Sequence, residues 1–170
     1  SSYGTGFRAP TPGQQGTTNV STRLPNGFPV ATGLFPANSV VAQALGAEIL
    51  KPETSTNFTF GLTAELDSLT LTVDYYHILL EDRVNAISTL DVSTTVVTDP
   101  DADGYGAYQN YLALDAAGVV GANTIGGVFF FQNAFDTVTE GLDVVATYSM
   151  ESDMGDTMIT ASFNYGTNEF

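Results

Sequence analysis

Positions 58–66 and 69–79 alternate apolar and polar side chains, and only Asp67 and Ser68 separate the two runs. Phe58, Phe60, Leu62, Ala64 and Leu66 share one side of the first run; Leu69, Leu71, Val73 and Tyr75 share one side of the second. Successive side chains of a strand point to opposite faces. Two such runs on so short a link therefore predict a tight antiparallel hairpin with one greasy and one wet face. The pattern returns over 142–150 and 159–165. The fold class expected is all-β, an antiparallel up-and-down meander. What the greasy face covers, a protein core or lipid, decides the function.

The spacing of the strands bears on that choice. Strands are expected at about 1–8, 54–66, 69–80, 132–150 and 157–166, with long loops at about 9–52 and 81–130 and short links at 67–68 and 151–156. Pro10 and Pro12 stop the first ladder. Pro25-Asn26-Gly27, Pro29, Gly33 and Pro36 then punctuate the first loop, which holds one short helix at 39–45, capped by Asn38 or Ser39 and ended by Gly46. Compact soluble domains rarely carry two structureless connections of this length. Outer-membrane barrels do, with short turns on the periplasmic side and long loops outside the cell. From Leu69 to His77 the strand runs roughly 26 Å at about 3.3 Å per residue. Tilted by about 40°, it covers roughly 20 Å of an apolar band about 25 Å tall. Tyr75, Tyr76 and His77 then arrive at the outer interface, where an aromatic girdle sits; Tyr148 and Tyr165 read similarly. A β-sandwich with one buried face predicts the same alternation but shorter, more regular connections.

Composition narrows the partners. Four Lys and Arg stand against 19 Asp and Glu, a net charge of −15, so nothing here could neutralise a nucleic-acid backbone. A cation or a neutral polar ligand fits that field more easily. The absence of cysteine removes disulfides and thiolate metal sites. No run of 18 apolar residues exists, which excludes a membrane helix but not a membrane strand. No signal peptide starts at Ser1.

Asp99-Pro100-Asp101-Ala102-Asp103-Gly104 opens like a calcium loop, with carboxylates at alternate positions. Asn110 stands where a bidentate glutamate would close it. Two readings stay open: a solvated acidic loop, or a calcium ion held by Asp99, Asp101 and Asp103. Tyr105, Tyr108 and Tyr111 recur every three residues beside it, as a ligand-binding rim or as the packed side of a helical turn. His77 is the lone histidine, which leaves no zinc set. Glu65, Asp74 and Asp143 share the wet wall by parity. No Gly-x-Ser-x-Gly elbow occurs. Neither an enzyme nor a cofactor is expected, calcium apart.

Several strings resemble TonB-dependent outer-membrane receptors. Tyr3-Gly4-Thr5-Gly6-Phe7-Arg8-Ala9-Pro10-Thr11 is similar to a strand-end motif of their barrel, and Leu50-Lys51-Pro52-Glu53-Thr54 to the segment opening the next descending strand. Val73-Asp74-Tyr75-Tyr76-His77-Ile78 with Glu81-Asp82-Arg83-Val84 resembles its ascending partner, and Asn133-Ala134 with Thr139-Glu140-Gly141-Leu142-Asp143 the strand after that. The resemblance implies a barrel of about 22 strands, filled by a plug, set in the outer-membrane lipid of a Gram-negative bacterium. It also implies import of a scarce small ligand (an iron chelate, cobalamin or an oligosaccharide) with energy from a TonB-type complex acting through the plug. This chain shows no plug and reads as a partial transmembrane β-barrel with long extracellular loops, self-associating through its sheet edges if isolated. Phe170 breaks the parity of the last strand and reads as a truncation point. The alternative is an acidic, calcium-binding β-sandwich module of a secreted or surface adhesin.

Overall fold

The structure is a computed structural model describing residues 1–24 and 29–170, so Pro25, Asn26 and Gly27 of the first expected loop lie outside the described residues. In chain order the elements are β1 (Ser2–Arg8), α1 (Pro12–Gly16), β2 (Asn19–Arg23), β3 (Val30–Leu34), α2 (Val40–Ala44), β4 (Glu53–Leu66), β5 (Leu69–Ala86), β6 (Leu90–Asp91), α3 (Tyr105–Ala116), a 3-10 turn (Ala122–Thr124), β7 (Ile125–Phe129), β8 (Phe131–Ser152) and β9 (Gly155–Glu169). They fall into two units. One comprises Ser1–Arg8, Glu53–Arg83 and Phe135–Phe170; the other comprises Ala9–Pro52 and Val84–Ala134.

The first unit is a single sheet in the order β1-β4-β5-β8-β9. The expected hairpin sets its register: Leu66 faces Leu69, Leu62 faces Val73 and Phe58 faces His77. Asp67 turns the corner with φ of 47°, a left-handed conformation that aspartate tolerates better than most side chains. The β8–β9 corner is equally tight, because pairing continues to Ser152 and Gly155. At the β5–β8 neighbours, the Ser149 N–H donates to the Ser68 carbonyl at 2.8 Å, which sets the two corners side by side. β5 runs past its expected end to Ala86, and Asp82 interrupts it with φ of 56° while its N–H donates to the Asp136 carboxylate at 2.8 Å. A left-handed residue inside a strand bends it and re-aims the side chains that follow.

Alternation now has two measurable faces. Phe60, Leu62, Ile159 and Phe163 are 52–61% exposed on the apolar face. None of the buried hydrophobic side chains among the described residues belongs to this unit. A sandwich would bury that face under a second sheet, and it is not buried. No described helix is long and apolar enough to cross a membrane, which says nothing of strands.

The second unit holds the buried core: Ala37, Ala42, Ala47, Val92, Leu114, Ala122, Val128 and Phe130. Its sheet runs β2-β3-β7-β6, and the central β3–β7 pair is parallel, joining residues 31–34 to 125–129. The expected irregular stretches thus fold on one another. Neither shows a strand pattern alone, because β3 and β7 are five residues each, too short for alternation to register. The expected helix forms as α2, with the Ser39 hydroxyl accepting from the Ala42 N–H and Gly46 ending it at φ of 93°.

Candidate functional site

The polar face of the five-stranded sheet is built from cross-strand pairs that bond to each other sideways. Ser2 and Thr59 hydroxyls meet at 2.6 Å, Thr63 and Thr72 at 3.3 Å, and Thr147 and Thr160 at 3.2 Å. The Thr139 hydroxyl donates to the Asn168 amide oxygen at 2.6 Å, and the Asn164 amide donates to the Asp143 carboxylate. Hydroxyls keep spare lone pairs after such a bond, so the wall holds itself in register and still hydrates. Asp74 lies against Gly61 on the same wall, and Glu65 faces Thr70 across β4–β5.

Tyr76 also belongs to this face and therefore leaves the girdle expected of it. Its ring covers Gly141, which pairs with Gly166 on β9; a Cβ at Gly141 would collide with the phenol and lie 2.6 Å from the Tyr165 carbonyl oxygen. Glycine is needed there so that the ring can close onto the backbone.

On the opposite face the apolar run gives way to mixed side chains, with His77, Leu79 and Val138 following Tyr75 and Glu140 before further carboxylates begin. Tyr75, in ring contact with Phe58 at 6.5 Å, donates its hydroxyl to the Glu140 carboxylate at 3.2 Å. Beyond that level the same face carries Glu81 and Asp136 by alternation, with the Thr54 hydroxyl donating to Glu81 at 3.4 Å. A tyrosine with its ring in the apolar zone and its hydroxyl on a carboxylate marks a polar boundary. Below it, the eight steps from Leu142 to Met150 span roughly 26 Å of strand, roughly 20 Å of height at a tilt of about 40°.

At the end of the sheet away from the tight turns, the polar face gathers charge. Arg8 Nη2 donates to Glu53 Oε1 at 2.7 Å; the arginine side chain is 63% exposed and the glutamate 11%. The Arg83 guanidinium lies 5.4 Å over the Phe135 ring, and its Nη1 donates to the buried Thr137 hydroxyl at 3.5 Å. Phe135 meets Phe170 edge-on at 6.3 Å, so Phe170 stands on the polar side, as its parity requires. Arg8, Glu53 and Arg83 line one cavity of about 370 Å³ with Gly6, Ser55 and Leu80. Two of the chain's four cationic side chains thus share a single cavity. Sequence reasoning missed this cluster. Arg8, Glu53 and Arg83 each lie in a quoted motif, and the scarcity of cations was a usable signal, but only strand register brings them together.

The sequence-predicted site residues lie in the second unit. The Asp99 carboxylate accepts from the Asp101 N–H at 3.1 Å, closing its own turn, and Asp101 and Asp103 are exposed. Asn110 directs its amide to the Asp91 carbonyl at 2.8 Å. Among the described residues no three acidic or histidine side chains are grouped so as to hold a metal. Tyr105, Tyr108 and Tyr111 occupy the first two turns of α3; the rings of Tyr108 and Tyr111 stack at 6.3 Å, and Tyr111 packs on the buried core. His77 stands on the apolar face, half-buried, opposite Phe58.

The family model described as TonB dependent receptor-like, beta-barrel, matches residues 1–170. No curated protein gives a significant match.

Proposed function

From the premise that this chain belongs to the TonB-dependent receptor β-barrel family, we propose that its five-stranded sheet is part of the wall of an outer-membrane importer. The family is one of outer-membrane receptors that transport ligands in Gram-negative bacteria, not of enzymes. The observation that carries the reading is the exposed apolar face, with its first polar anchor at Tyr75–Glu140, backed by a self-bonded polar face. Lipid covers the first face; the second lines the path of a scarce solute, whether an iron chelate, cobalamin or an oligosaccharide. The edge strands β1 and β9 each have one neighbour in the sheet, which supports closure by further strands. The second unit, fed by both connections, stands outside the cell and takes part in capture. Energy arrives from an inner-membrane complex of the TonB type through a plug.

An epitope inserted after Val120, a fully exposed position (99%), tests the arrangement. Antibody should label intact cells producing the receptor. Solute uptake should cease when the energising complex is deleted while surface labelling stays. Labelling only after lysis would overturn the outward placement of the second unit.

A further inference from the structure

We propose that the cavity between Arg8 and Arg83 is a subsite for an anionic group, a carboxylate or a phosphate, carried by the transported solute. This rests on the reading that the polar face lines the solute's path. Arg8 is neutralised by Glu53 at 2.7 Å, the salt bridge found among the described residues. Arg83 is different: its contacts are the Phe135 ring and one long bond to Thr137, and no carboxylate pairs with it among the described residues. A guanidinium keeps its charge at any physiological pH and presents five N–H donors in a planar fork. One donor is used here, and the ring beneath it holds the plane still, leaving the rest of the fork for a second planar or tetrahedral anion.

The surrounding charges are sorted by face. Glu81, Asp136 and Glu140 lie on the other side of the sheet by alternation, whereas the charged side chains lining the cavity are the two arginines and Glu53, which Arg8 compensates. In a chain of net charge −15 this leaves a local positive spot facing inward. A cavity of about 370 Å³ lies within the size range of small-molecule sites.

Calorimetric titration of the intact receptor in detergent, at low salt, with inorganic phosphate and with succinate tests this. At least one anion should bind; phosphate alone or succinate alone identifies which group the fork prefers. Arg83→Gln should weaken binding about tenfold or more, as expected for a lost charge-assisted pair. Met154→Gln, at the exposed β8–β9 corner of the same sheet, should leave it unchanged. Binding by the parent should also weaken as salt rises, a readout that does not depend on a variant folding. Failure of both anions to bind the folded receptor, equal affinity in Arg83→Gln, or indifference to salt would each overturn the subsite. None of these outcomes touches surface labelling or energised uptake, on which the transport reading stands.

Discussion

Substituting Leu62 by arginine puts the lipid assignment under direct test. Leu62 lies on the apolar face opposite Val73, midway between the Asp67 corner and the Tyr75–Glu140 boundary, and is 60% exposed. Exposed to water, such a position would tolerate arginine within about 0.5 kcal/mol. Facing the bilayer midplane, it should cost about 2–4 kcal/mol, a factor of roughly 30 to 900 in the folding equilibrium. Thr56 lies on the same face six residues up the strand, roughly 15 Å higher after a tilt of about 40°. Arginine there should cost only about 0–1 kcal/mol. Thr63→Arg, one residue from Leu62 but on the polar face, should also be mild. The assay is denaturant-dependent folding of the intact receptor into lipid vesicles, followed by heat-sensitive gel migration. A Leu62→Arg penalty no larger than that of Thr56→Arg would refute the reasoning, because depth dependence is the signature of lipid.

Other perturbations probe separate features. Gly141→Val should destabilise the sheet by about 1–3 kcal/mol in the same folding assay, since the new side chain meets the Tyr76 ring and the Tyr165 carbonyl; Gly4→Ala, with nothing within 4 Å of its Cβ, should not. Leu114→Ala, at a fully buried position, should cost the second unit about 2–5 kcal/mol and open it to protease added to intact cells. Asp101→Asn should bind as much calcium as the parent in equilibrium dialysis, because Asp99 already caps its own turn; a clear loss would place an ion at that loop.

The hairpin was legible from residues alone because strand alternation is a local property. Phe58–Leu66 carries its facing in its own order, and Asp67-Ser68 leaves room for nothing but a corner. The β8–β9 corner is less sharp in sequence, since 151–156 forms one polar run, yet pairing reaches Ser152 and Gly155. Tyr75, Tyr76 and His77 looked like one aromatic group; alternation splits them, Tyr76 closing on Gly141 and Tyr75 reaching Glu140. The alternate spacing of the carboxylates in the acidic segment is visible in sequence, whereas Asp99's bond to its own turn is not.

By itself, the sequence determined the two-faced strands, the tight corners and the motif order that points to a receptor barrel. Each depends on neighbours within a few positions. Tertiary structure alone decided that two long connections fold as one unit through a parallel pair joining residues 31–34 to 125–129. It alone set Arg8 on Glu53, 45 positions away, and Arg83 on Thr137, 54 positions away. Such meetings depend on which distant strands become neighbours and in what register. No local periodicity encodes that choice; it is made when the ladders close and the loops between them are tied off.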